Sequence, residues 1–183
     1  MIGRLFALAL AGAVAASAAH AAPPLKPGAF VSDKSHNYFG YYSAKKPAPV
    51  FLGKWTLDTI AIGPPRDFAN FEAGRMYPDN DGVPVKPFSI GVIEAHPAEN
   101  ATADEVEALP VAYNLTGNTV SFTSGPTRLG VVRFDGTFTP AFMKAIATKA
   151  GPKRGDTVVL TGTLVVGTTK VPLQLTWYDG GDD

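Results

Sequence analysis

Between Thr157 and Tyr178 apolar and polar residues alternate with a period of two, twice over. Val158, Leu160, Leu164 and Val166 fall on one side, with Thr157, Thr161 and Thr163 opposite. After a short Gly167-Thr168-Thr169 connection, Val171, Leu173, Leu175 and Trp177 are in step, opposite Gln174, Thr176 and Tyr178. Successive strand side chains point to opposite sheet faces, so this pattern prescribes two antiparallel strands with one buried and one wet face. A chain that ends this way must build the rest of its core from matching strands.

Other segments answer it. Val111, Tyr113 and Leu115 alternate into Gly117-Asn118, and Val120 and Phe122 resume afterwards, a hairpin signal. Val132, Phe134 and Phe138 oppose Arg133, Asp135 and Thr137. Earlier, Phe51, Gly53, Trp55 and Leu57 are in phase, as are Phe88, Ile90 and Val92. One helix interrupts the strands: Thr139 is placed to cap it, Pro140 opens it, Phe142, Met143, Ile146 and Ala150 form its stripe, and Gly151-Pro152 ends it. Thr102 and Glu105 have capping-box spacing, which predicts a further helical turn over 101–109. Gly63-Pro64-Pro65 breaks the pattern, and Tyr77-Pro78-Asp79-Asn80-Asp81-Gly82 reads as a turn. The expected fold is mostly β, an antiparallel barrel or sandwich over residues 50–178 with one short helix at about 139–150. Residues 179–183 form an acidic tail expected to fray.

The start of the chain obeys other rules. Arg4 precedes an apolar run, Leu5 to Ala16, too short to span a bilayer, and Ala19-His20-Ala21 presents the small-x-small pattern that signal peptidase cuts. Residues 1–21 therefore read as a signal peptide, and the chain from Ala22 as a bacterial-style periplasmic or secreted protein. Residues 22–49 carry prolines at 23, 24, 27, 47 and 49 around Lys34-Ser35-His36-Asn37-Tyr38-Phe39-Gly40-Tyr41-Tyr42. This predicts an extended arm, either pinned to the domain by its tyrosines or docking a partner.

Composition narrows function. No cysteine is present, which excludes disulfides, thiol catalysis and a lipoprotein anchor. With 16 basic and 16 acidic residues, the chain lacks the basic footprint of a nucleic-acid binder. No apolar run after the signal approaches membrane-spanning length, so it is not read as an integral membrane protein. Past the signal only His36 and His96 remain, and no G-x-S-x-G elbow occurs, which leaves little for hydrolase chemistry.

Glu94 and His96 share a strand face with Phe88, Ile90 and Val92, so they could reach a barrel mouth and bind a polar headgroup; equally, with Pro97 next, both stand in solvent. Two ligands do not make a metal site, and no metal or cofactor is expected. Asp79-Asn80-Asp81-Gly82 fails the calcium-loop register, because the first and twelfth positions would be Tyr77 and Phe88. Residues 151–157 lack the Lys-Ser/Thr pair of a phosphate loop, and Arg154-Gly155-Asp156 is read as a turn. Asn100-Ala101-Thr102 fits a glycosylation acceptor that an exported bacterial protein leaves bare. The remaining candidate is aromatic: Phe51, Trp55, Phe88, Tyr113, Phe122, Phe134, Phe138 and Trp177 all phase inward. They either pack solid or enclose one elongated apolar ligand, and periodicity does not separate the two. For such a ligand the contacting residues would be Trp55, Phe88, Tyr113, Phe134 and Trp177, with Glu94 and His96 at the mouth.

The stretch Leu160-Thr161-Gly162-Thr163-Leu164-Val165-Val166-Gly167-Thr168-Thr169-Lys170-Val171-Pro172-Leu173-Gln174-Leu175 resembles the terminal hairpin of the YceI-like periplasmic proteins, with its T-G-x-L-x-hydrophobic-x-G-x-T-K-x-x-x-L pattern. One residue is missing before Gly167 and the proline falls one position late. The family opening, W-x-I-D followed by His and Ser, is echoed only as Trp55-Thr56-Leu57-Asp58, and Gly53-x-Trp55 equally resembles the lipocalin opening. The resemblance implies an exported antiparallel barrel holding an isoprenoid chain in an apolar tunnel, and no binding residue transfers. Two readings remain: a non-catalytic barrel that binds a lipid-like molecule, or a solid-cored module that docks an envelope protein through its arm and loops.

Overall fold

The alternating segments join one continuous sheet in the computed structural model, which describes residues 26–45, 49–75, 86–95, 102–148 and 151–180. In chain order the elements are β1 (Phe30–Ser32), β2 (Gly40–Ala44), β3 (Phe51–Leu52), β4 (Trp55–Ile62), α1 (Pro65–Glu72), β5 (Phe88–Glu94), β6 (Glu105–Ala108), β7 (Pro110–Thr116), β8 (Thr119–Thr127), β9 (Gly130–Phe138), α2 (Pro140–Ile146), β10 (Gly155–Val166) and β11 (Thr169–Tyr178). The sheet runs β1-β7-β8-β9-β10-β11-β2-β4-β5-β6, with β3 beside β4. Pairing is antiparallel except for β1, which lies parallel to β7. The signal segment, the Tyr77–Gly82 turn, His96, Asn100, Ala101, Ala150 and residues 181–183 lie outside the described residues.

The sheet curls into a half-barrel because its inner face must bury large side chains that no second sheet covers. Its far edge turns back on itself: the Gly125 amide donates to the Leu109 carbonyl at 3.1 Å, and Phe88 of β5 meets Phe122 of β8 with centroids 4.7 Å apart. The β7–β8 hairpin turns at Gly117-Asn118 and the β10–β11 hairpin at Gly167-Thr168, as the alternation prescribes. Leu160, Leu164, Leu173 and Leu175 are all buried. Tight curvature under an aromatic core is made possible by two glycines. Gly136 and Gly162 are cross-strand partners, and the Phe134 ring lies over both. A Cβ at Gly162 would stand 2.4 Å from the Asp135 carbonyl and 2.7 Å from that ring, so only glycine fits.

Several expectations are corrected. The described part of the expected 22–49 arm, residues 26–45, belongs to the domain: β2 sits in mid-sheet between β11 and β4, and Tyr38 and Tyr42 are core residues. Of the prolines that suggest a linker, the described Pro27 and Pro49 lie outside the strands, while Gly40-Tyr41-Tyr42-Ser43 alternates within one. The helical turn expected near Thr102 is instead β6, since Glu105-Val106-Glu107-Ala108 buries its even positions against β5, and sheet burial outweighs helix propensity. A second helix is present. Pro65, read as a breaker, occupies the first position of α1, where its missing amide costs nothing, and Phe68 and Phe71 turn inward. Phe51 does not share the face of Trp55, because Gly53 and Lys54 form a turn that resets the phase; Leu52 is buried and Phe51 is half exposed.

Helix α2 forms where Thr139 caps it, its Oγ1 accepting from the Phe142 amide at 3.3 Å, with Pro140 first. It stops at Ile146 rather than near Ala150, because the Thr148 amide and hydroxyl both turn back to the Ala145 carbonyl at 3.1 and 2.8 Å. Phe142 is its buried anchor, stacked 5.3 Å from Phe138. Asp179, expected in a fraying tail, is held by Arg154 through Nε at 2.6 Å.

Replacing Gly162 with Ala should destabilise the fold by about 1–3 kcal/mol through overpacking against backbone and Phe134, whereas Thr161→Ala on the outer face should stay within about 0.5 kcal/mol. Thermal and urea denaturation of both variants checks this.

Candidate functional site

The inward aromatics, Phe51 apart, belong to one buried core cluster, and each packs against protein neighbours. Phe88 pairs with Phe122. Tyr113 is ringed by Phe30 at 5.1 Å, Phe68 at 5.2 Å and Phe71 at 6.1 Å, which brings β1, β7 and α1 together. Phe134 lies over the glycine pair. Trp177 rests on Gly40, contacts Phe142 at 6.5 Å and donates its indole N–H to the Phe39 carbonyl at 3.0 Å. Between Trp177 and the β7–β8 turn run Phe142, Phe138, Tyr42 and Tyr38, whose hydroxyl donates to Gly117 O at 2.6 Å. Burial pushes the Tyr38 phenol up to about 12 and the Tyr42 phenol well above its ordinary value.

Of the expected ligand-contacting residues, the aromatic Trp55 and the mouth residue Glu94 come together as cross-strand partners. The Trp55 ring is met by two cations, Lys54 at 5.0 Å from its centroid and the Arg128 guanidinium at 4.8 Å. Lys54 pairs with Glu94 at 3.0 Å, while Arg128 binds Asp104 and donates to the Glu105 carbonyl at 2.8 Å. Arg128 thus reaches from the β8–β9 turn to β6 and fastens the curled sheet at the end where an opening was expected. Among the described residues no three His, Asp or Glu side chains gather as metal ligands.

A second polar cluster lies beside α1. Glu72 accepts from Ser32 Oγ at 2.6 Å and Tyr113 Oη at 3.2 Å, and pairs with Lys34. Burial raises its pKa, but Lys34 and Ser32 outweigh burial and hold it below the usual range. Next to it Asp33 binds the Ser35 amide at 2.8 Å and His36 Nδ1 at 2.7 Å. Ser35, His36 and Asp33 are not a proton relay. Ser35 Oγ and the Asp33 carboxylate both face Nδ1, whereas a relay needs them on opposite ring nitrogens. The trio is a loop clamp.

The outer face of the sheet, polar by alternation, also carries aromatic rings. Tyr41 and Tyr178 are cross-strand partners, stacked with centroids 5.1 Å apart, and Phe39 meets Tyr41 edge-on at 6.4 Å. Phe39 and Tyr178 remain 36 % and 39 % exposed. Burial, then the Asp58 carboxylate and Tyr41, raise the Tyr178 phenol. The one signal in the sequence is phase: Tyr41 and Tyr178 both fall on the polar side of their strands. No protein-family model, curated protein or solved structure matches the chain; what defines it is the half-barrel itself. No described helix is long and apolar enough to cross a membrane.

Two outcomes are expected. Arg128→Ala should cost about 1–2 kcal/mol by removing the stacking and the bridge to β6, with a change in Trp55 emission that Arg128→Lys partly restores. Asp33 is held down from 3.8 to about 2, first by the Ser35 hydroxyl and also by His36. Its ionised form favours the folded state, so this contribution is intact above about pH 4 and lost as pH falls through 2. Urea titrations between pH 5 and 2 should show a shallower acid decline in Asp33→Asn than in the parent.

Proposed function

We propose that this chain is an exported, non-catalytic binding module with a closed interior, whose partner lies against the outside of the sheet. The export reading comes from residues 1–21. The observation that carries the rest is the packing of the inner aromatics: Phe88, Tyr113, Phe134 and Tyr42 are fully buried by named protein neighbours, while Phe39, Tyr41 and Tyr178 gather on the outer face. Filling an interior with rings stabilises the half-barrel and leaves it no need of a lipid to complete its core. An arm-mediated version of the module is not supported, because deleting 22–48 would remove β2 from mid-sheet.

Protein purified from its own compartment and extracted under denaturing conditions should release no apolar molecule in stoichiometric amount. A discrete apolar mass at one per chain, by native and denaturing mass spectrometry, would overturn this and restore the carrier reading that the YceI-like hairpin suggests.

A further inference from the structure

The outer face beside β11 combines rings, hydroxyls and carboxylates in one register. Pairing places Tyr178 opposite Tyr41, Tyr41 opposite Ala61, and Ala61 opposite Ser89, so two stacked rings lead onto a low floor of small side chains. The neighbouring row pairs Thr176 with Ser43. A third pairs Gln174 with Thr161, and Thr161 with Thr137. Asp58 stands over this floor: a Cβ added to Gly91 would lie 3.5 Å from its Oδ2, and its charge acts on the Tyr178 phenol, which Thr59 also engages. Beyond the rings the Gly180 backbone backs Tyr41, where a Cβ would come within 2.5 Å of the ring.

We propose that this surface binds a neutral glycan, one pyranose laying its C–H face on Tyr178 while its hydroxyls bond to Asp58, Thr176 and Ser43. This deepens the outer-face reading above and rests on it. An apolar partner is disfavoured, because covering the rings would also strip water from Asp58 and the threonine hydroxyls without replacing their hydrogen bonds. A sugar meets both needs, since a pyranose has an apolar C–H face and a rim of hydroxyls that donate to carboxylates and accept from Ser and Thr. An anionic sugar is disfavoured by the Asp58 carboxylate, whose charge already acts on Tyr178. The polar rows continuing across β10 and β9 give the next residues of a chain hydroxyl and amide partners at strand spacing, which favours an oligosaccharide over a monosaccharide.

The test is an amide NMR titration of the exported chain with cellohexaose and, separately, chitohexaose. At millimolar sugar at least one should shift resonances of 39–43, 58–61 and 176–180. Tyr178→Ala should weaken that binding at least about tenfold, a loss of about 1.4 kcal/mol. Tyr178→Phe, which keeps the ring, should remain close to the parent. Asp58→Asn, exposed and neutral to folding, should weaken binding severalfold and serves if Tyr178→Ala does not fold. The proposal is overturned if neither sugar moves those resonances, if a folded Tyr178→Ala binds as well as the parent, or if tetramethylammonium alone moves them, which would mark a cation-binding aromatic surface. A negative sugar titration on lipid-free protein removes the glycan alone. Recovery of a bound lipid removes the outer-face reading with it.

Discussion

The burial of Tyr42 is the contact on which the other elements depend. Its strand lies between the last strand and β4, its ring meets Phe138 and Phe142, and its hydroxyl donates to the Tyr38 carbonyl at 2.6 Å. One side chain thereby joins the first third of the chain to α2 and β9. A phenol with no exposure is stable only if its O–H is paired, and here the partner is its own segment four residues earlier, which also sets the position of Tyr38 over the β7–β8 turn. Removing that anchor would leave β11 and β4 without the strand that separates them.

Curvature and closure come from the same demand for burial. An open sheet with one apolar face must either meet a second layer or bend around its own side chains. This one bends, with Gly136 and Gly162 giving the Phe134 ring room against the backbone and Arg128 clasping the far edge around Trp55. The helices finish the two ends: α2 lays Phe142 on Phe138 and Tyr42, and α1 lays Phe68 on Tyr113. The bending leaves outside a sheet surface of hydroxyls and carboxylates on which Phe39, Tyr41 and Tyr178 meet.

Much of the fold is legible in the sequence. The β7–β8 and β10–β11 hairpins, the inward phase of Val132, Phe134 and Phe138, and the capped start of α2 all rest on local signals, period two or an N-cap, that need no tertiary information. The failures share a cause. Thr102 to Leu109 has helix-forming composition, and only pairing with β5 makes it a strand. Pro65 can end a pattern or begin a helix, and the buried Phe68 three residues later decides for the helix. Gly53-Lys54 can sit in a strand or turn it, and the pairing of Leu52 with Trp55 selects the turn. The outer site is half visible: Phe39 and Tyr41 stand out as an aromatic patch, but their companion Tyr178 lies over a hundred residues away, on the side of its strand that alternation marks as wet.

The sequence by itself determined the class of fold, because a period of two along so many segments admits only strands with one buried face. It also determined the inward phase of β7, β8, β9 and β11, because burying alternate apolar side chains leaves those strands no other phase. Only the tertiary structure decided that residues 30–44 belong in the sheet, that the inner rings close on one another, and that Tyr41 and Tyr178 stand side by side. Those outcomes depend on which strands become neighbours, and strand order is set by packing between distant segments, about which a local pattern carries no information.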